Sequence, residues 1–237
     1  MFNKPNLVII TEGATETGAL PALLTQYFRG LGFEAVFQTL GLPSRPKGGH
    51  KDISVLIKDI ELTAKQYQGC YISTFFDYYG LNPKWPGVNE TKAETAVNAV
   101  QKVARIENCL GQEITEKVNS DFLWDGHFIP YIQLHEFEAL LFALPDEMAI
   151  IVDTKGHKEK LANEFKAISA KFDSCEEIND SFDTAPSKRI ASLCAYRKGK
   201  SSEAHAWQIF KHGNLESVRR ACPRFSAWLN RFEELKR

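Results

Sequence analysis

Several familiar signatures are missing from this 237-residue sequence. Its five cysteines, Cys70, Cys109, Cys175, Cys194 and Cys222, are widely spaced, odd in number and form no CxxC pair. That argues against a zinc knuckle or a disulfide framework and suits reduced thiols in a cytoplasmic protein. No window approaches the ~20 apolar residues of a membrane span, and MFNKPNLVII has no apolar signal-peptide core. The absence of GxxxxGK[ST] excludes a Walker-type phosphate loop, and the absence of GxSxG excludes the usual nucleophile elbow. Charge of neither sign dominates: Lys and Arg total 29 against 30 for Asp and Glu, so any contact with nucleic acid falls to local patches.

What is present is an alternation. NLVII is a short β-branched apolar run without polar alternation, as expected of a strand covered on both faces. After the Gly13 turn, Thr15 is a plausible helix N-cap, and Leu20, Leu23, Leu24, Tyr27 and Phe28 recur at helical spacing up to Arg29. EAVFQTL reads as a second strand, Lys51 to about Gln68 as a helix, and CYISTFFDYYG as a third strand ending at Asp77. A third helix is expected from Lys92 to about Asn108, and HFIPYIQL as a fourth strand running into HEFEALLFALPD. This β-α-β-α-β-α-β order predicts an α/β fold with a mainly parallel four-stranded sheet flanked by helices, because parallel strands need crossover connections. Residues 1–237 are read as a single domain, with 1–145 an α/β core and 146–237 a helical elaboration closed by the amphipathic CPRFSAWLNRFEELK.

In open α/β sheets the functional crevice lies beyond the C-terminal strand ends. Three of the four strands end in acids: Glu12, Asp77, and Glu136 with Glu138 close behind. Carboxylates brought together repel unless a divalent ion neutralises them, and an all-oxygen set suits Mg2+ or Mn2+. Phosphoryl transfer is the natural chemistry of such a centre. Glu16 has a plainer use, since a carboxylate in a first helical turn offsets the macrodipole. On a strand Glu136 and Glu138 share a face, whereas on a helix they diverge by about 200°. ALLF looks helical, so one of the two faces the site; Glu136 is the choice and Glu138 the fallback. His135 is either a metal ligand or acid/base, or a hydrogen-bonded structural residue.

TAPSKRI is the second unusual stretch. Pro186 can open a helix whose first turn presents Ser187, Lys188 and Arg189, and helix N-terminal amides with cations suit phosphate; an exposed basic helix start paired with EEINDSFD is the alternative. Lys188 is the candidate catalytic cation of this group. Lys47, His50 and Lys51, in or beside the GG loop, would track a nucleic-acid backbone. Tyr78, Tyr79 and Trp85 serve either base stacking or packing.

Together, TEGATE, FFDYYG, PYIQLHEFEALLF, EEIND and APSKRI resemble the DUF4276 family of bacterial proteins with Toprim-like character, over about residues 6 to 229. The resemblance implies a Toprim-like fold, a divalent metal used on phosphodiesters, and a place in bacterial defence against phage, often beside an ATPase of AAA or ABC type. Toprim domains carry an acid after the first strand and a DxD pair after the third. Glu12 matches the first acid and Asp77 the first Asp of the pair, but Tyr79 stands where the second Asp belongs. Glu136 or Glu138 is then the candidate for the missing ligand.

The leading expectation is a Mg2+-dependent nuclease acting on DNA or RNA, with Glu12, Asp77 and Glu136 holding metal and Ser187, Lys188 and Arg189 gripping phosphate. The alternative is a non-catalytic nucleic-acid-binding or ATPase-binding subunit with a degenerate site. A weaker third is a small-nucleotide phosphohydrolase or transferase.

Overall fold

The computed structural model describes residues 4–41, 51–179, 182–197 and 201–236. The chain forms two units. The first takes in the chain up to Thr17 and Phe28–Ile132, the second Gly18–Tyr27 and the chain from Gln133 onward. Among the described residues no helix is long and apolar enough to cross a membrane.

In chain order the elements up to the end of the sheet are β1 (Leu7–Thr11), α1 (Ala14–Gly30), β2 (Ala35–Thr39), α2 (Ile53–Gln66), β3 (Tyr71–Asp77), α3 (Val88–Ala93), α4 (Ala99–Lys117), β4 (Phe128–Ile129) and β5 (Ile132–Gln133). The sheet order is β2-β1-β3-β4, with β5 also pairing with β3. Every pairing along that path is parallel, Ile9 standing opposite Phe37 on one side and Ser73 on the other. This is the α/β fold with a mainly parallel sheet that the alternation predicts. β1 lies at the centre because its side chains are apolar on both faces: Leu7, Val8, Ile9 and Ile10 are wholly buried, each contributing about 1.5–3 kcal/mol. β2, half-exposed along its length, is an edge.

Three local expectations are corrected. The N-cap of α1 is Gly13, not Thr15: Thr17 N–H donates to Gly13 O (3.2 Å), and the Glu16 carboxylate accepts Gly13 N–H (3.1 Å). A glutamate three residues past the cap satisfies an otherwise orphaned amide. The helix expected over Lys92–Asn108 is two helices, α3 and α4, because Asn98 and Gln101 form a reciprocal capping box that starts α4 afresh. The strand expected over HFIPYIQL is broken into β4 and β5 at Pro130, which has no N–H for a ladder. Side chains of β3 take over there. Ser73 Oγ donates to Ile129 O (2.5 Å), while Thr74 Oγ1 accepts Tyr131 N–H (2.9 Å) and donates to Tyr131 O (3.0 Å).

The second unit is helical. Within HEFEALLF, where ALLF is expected to be helical, Phe137–Ala143 forms a 3-10 segment. At seven residues it exceeds the usual three or four for this geometry. Phe137 through Phe142 are all buried, and the segment is touched by α5 (Pro145–Val152), α6 (Lys158–Ser169), α7 (Pro186–Leu193), α8 (Ser202–His212) and α9 (Leu215–Ala221). It is the axis of this unit. α10 (Pro223–Glu234) buries Phe225, Trp228, Leu229 and Phe232, an i, i+3, i+4, i+7 stripe. Its N-terminus is capped from a distance: Glu176 accepts Arg224 N–H (2.7 Å) and Phe225 N–H (3.1 Å).

Candidate functional site

In the first unit, β1 and β3 are neighbours in register, with Thr11 opposite Phe75. Glu12 follows the last residue of β1 and Asp77 is the last residue of β3, so both stand at the C-terminal edge of the sheet. Glu12 is half-buried and Asp77 is 7% exposed. They meet directly, as Asp77 N–H donates to Glu12 Oε2 (3.3 Å). Two acids expected at one strand edge are thus brought together. Glu16 is buried on Gly13, in the helix-start role expected of it.

The turn carrying Glu12 is fixed from below by three hydroxyls. Thr11 Oγ1 lies 2.5 Å from Thr17 Oγ1, which lies 2.7 Å from Thr39 Oγ1, and Thr17 Oγ1 also donates to Gly13 O (2.8 Å). The relay ties the ends of β1 and β2 to the first turn of α1. Over the carboxylate sits Gly80, in the 3-10 turn Tyr78–Gly80 that follows β3. A Cβ on Gly80 would overlap the Glu12 carboxylate.

The aromatics after Asp77 divide. Tyr78 and Tyr79 stack (6.1 Å, 27°), and Tyr79 is 36% exposed. Trp85 is a packing residue, edge-on to Phe76 at 5.4 Å, with its Nε1 donating to Lys51 O (2.8 Å). That bond holds Lys51, and the Asp59 carboxylate accepts Gly41 N–H (2.6 Å). Lys47 and His50 lie outside the described residues.

The second unit holds the other acids, each on a donor of its own. Glu136 is 9% exposed, and Ser187 gives it both its backbone N–H (2.9 Å, to Oε2) and its hydroxyl (3.1 Å, to Oε1). The first turn of α7, expected to face phosphate, thus binds a carboxylate of this chain, which the helix N-terminus favours as it would any anion. Glu138, 1% exposed, accepts Tyr196 OH (3.0 Å). Burial first, then the Glu138 charge, pushes the Tyr196 phenol far up, so it stays a donor. His135 takes a left-handed backbone (φ 64°) ahead of Glu136, and burial pushes its imidazole down to about 4 against the pull of Glu136. Lys188 is exposed. Arg189 donates from Nε to Thr184 O (2.7 Å) and lies over the Phe172 ring at 5.4 Å, bracing the turn before α7.

Residues 11–233 match the family described as "Domain of unknown function (DUF4276)". The chain belongs to that family. The match takes in every candidate acid and the Ser187–Arg189 turn. Among solved structures, this DUF4276 chain is similar to the C-terminal region of the Burkholderia pseudomallei OLD protein, at 14% identity and TM-score 0.48, covering 99% of this chain and 100% of that one. It is also similar to the C-terminal region of the Xanthomonas campestris pv. campestris OLD protein, at 12% identity and TM-score 0.46, covering 100% of this chain and 97% of the other. Among curated proteins none matches.

Among the described residues of the DUF4276 chain, no three His, Cys, Asp or Glu are gathered in a way that could hold a metal ion. Mg2+ does not need such a cage: it is commonly held by one or two carboxylates, waters and substrate phosphate. The all-oxygen pair Glu12 and Asp77 fits that habit. Sequence reasoning missed Gly80 and the threonine relay. The only signals were a glycine three residues after the acid and threonines at positions 11, 17 and 39, whose significance depends on strand register.

Proposed function

We propose that this DUF4276 protein processes nucleic-acid phosphodiesters with Mg2+ or Mn2+ held by Glu12 and Asp77. One observation carries the reading: two acids leave adjacent parallel strands at the C-terminal edge of the sheet and meet through the Asp77 amide and the Glu12 carboxylate. Such an ion, when bound, polarises a phosphoryl oxygen and lowers the pKa of a bound water. Glu12 and Asp77 supply hard oxygen donors, the threonine relay fixes the Glu12 turn, and Gly80 leaves room for the carboxylate. Lys188 meets the nucleic-acid backbone as an exposed cation. Ser187 and Arg189 act as positioning residues, Ser187 through Glu136 and Arg189 through Thr184. The resemblance of the motifs supports a setting in bacterial defence against phage beside an ATPase partner.

The test is cleavage of single- and double-stranded DNA and RNA by the purified protein with Mg2+ or Mn2+. Glu12→Gln and Asp77→Asn should each reduce the rate by about 100-fold or more, with the thermal midpoint little changed. Undiminished cleavage in both variants sinks the assignment.

A second reading has its own observation: the position two residues after Asp77 is Tyr79, exposed and stacked on Tyr78, where a second acid would stand. That favours a binding subunit without a metal. Calorimetry with Mn2+, in the presence of oligonucleotide, separates the two, since the adaptor shows no metal-dependent heat and the enzyme does.

A further inference from the structure

Trp124, four residues before β4, stands at the end of the sheet opposite the acids and is 55% exposed, whereas Trp85 and Trp228 are 4% and 2% exposed. A half-exposed indole is ordinarily loose; this one is braced. Its ring meets His127 edge-on (5.1 Å, 66°), His127 lies flat on Tyr71 (4.1 Å, 14°), and Tyr71 meets Phe33 edge-on (5.7 Å, 88°). A column of rings therefore runs from the surface into the core. His127 Nδ1 lies 3.3 Å from Cys70 O, which fixes the middle of the column. Gly69, at φ +75°, leaves the space under the indole: a Cβ there would stand 3.0 Å from Trp124.

Beside the indole is a cavity of about 150 Å3. Val118, Leu123 and Phe128 line it on the apolar side, and Thr115, whose hydroxyl donates to Gly111 O (2.9 Å), Ser120 and Asp125 are its polar lining residues. An aromatic face with hydrogen-bonding groups beside it matches a flat heterocycle that carries amino donors on its edge. Stacking on an aromatic side chain is open to any base, while a carboxylate selects bases with an exocyclic amino group, adenine, cytosine and guanine.

We propose that this pocket receives one unpaired nucleobase, stacked on Trp124 with its amino edge toward Asp125. The proposal rests on the nucleic-acid reading above for its class of ligand, and on none of the residues of the acid pair. β3 runs from this end of the sheet to Asp77, and its seven residues span about 20 Å. A strand held by a base at Trp124 would thus present to Glu12 and Asp77 a phosphodiester several nucleotides away.

The experiment uses the full chain carrying Trp207→Phe, which removes the other partly exposed indole. Tryptophan fluorescence is followed while adding oligo(dA), an abasic oligonucleotide of the same length, and free AMP, with anisotropy of a labelled oligo(dA) as the second readout. Oligo(dA) should quench and the abasic strand should not. Trp124→Ala should weaken oligo(dA) binding about 5- to 150-fold, Trp124→Phe should restore most of it, and Asp125→Asn should weaken oligo(dA) more than oligo(dT). AMP binding as tightly as the strand would assign the pocket to a free nucleotide, and weaker AMP binding to a base within a strand; either supports it. Equal quenching by the abasic strand, or unchanged affinity in Trp124→Ala with an unaltered thermal midpoint, overturns it. Quenching that persists in a protein without nuclease activity removes the catalytic reading and leaves the base site standing. Cleavage that survives with no base-dependent quenching does the reverse.

Discussion

The sheet and the helical unit place their acids differently. In the sheet, parallel register delivers Glu12 and Asp77 to one edge, where the carboxylate of one meets the backbone of the other. In the helical unit Glu136, Glu138 and Glu176 are dispersed, each onto different donors: the Ser187 amide and hydroxyl, the Tyr196 phenol, and the first amides of α10. A carboxylate on one or two strong donors stabilises the fold, because charge-assisted bonds are about twice as strong as neutral ones. Two acids set at one strand edge are instead placed for the shared cation proposed above. The lesson is that an acid's position along the chain says little until its donors are known.

The sharpest break of this contrast is Gly80→Ala. Its methyl displaces the Glu12 carboxylate, so metal-dependent cleavage should fall about 100-fold, which is about 2.7 kcal/mol of barrier, while urea melts shift by less than ~1 kcal/mol. An equal loss of stability with cleavage intact would erase the distinction.

Next in size is a pH effect confined to the helical unit. His135 is depressed from 6.5 to about 4 by burial, so the unfolded chain takes up the proton first. Stability is full above pH 6.5 and declines as pH drops toward 4, by about 2 kcal/mol at pH 5. His135→Asn, which tolerates the left-handed backbone, should flatten that decline in denaturant melts at pH 7.5 and 5.

Smaller again, Glu176→Gln should cost about 1–2 kcal/mol through loss of a charge-assisted cap on α10, read as a lowered thermal midpoint with cleavage unaltered. Smallest is Thr17→Val in the first unit. Loss of the central hydroxyl of the relay should cost about 1 kcal/mol and also slow cleavage severalfold, because that hydroxyl holds the Glu12 turn.

Much of the sheet was legible because burial on both faces leaves a continuous apolar run, as in LVII, and the acids at strand ends follow from chain order. The breaks were harder to read. Pro130 was visible in HFIPYIQL, but that Ser73 and Thr74 would bridge it depends on a neighbour 57 residues away. The Asn98 and Gln101 box lay in plain view and outweighs the helical continuity of the residues before it. ALLF reads as helical in the sequence, yet burial on all sides accompanies the tighter 3-10 winding. The donor to Glu136 was also in the sequence, as Ser187, but read as a phosphate ligand, because helix N-termini bind the chain's own carboxylates as readily as foreign anions.

The 3-10 axis of the helical unit has a kinetic corollary. Phe137–Ala143 touches helices spread from Pro145 to Ala221, so its burial requires closing loops of widely different length before any of them is repaid. No helix of α5 to α9 can complete its packing ahead of that axis. The amides of Ala139 and Leu144, bonded along the axis to Glu136 O and Leu141 O, should therefore exchange with solvent only on full opening of this unit, in step with one another and later than those of α10.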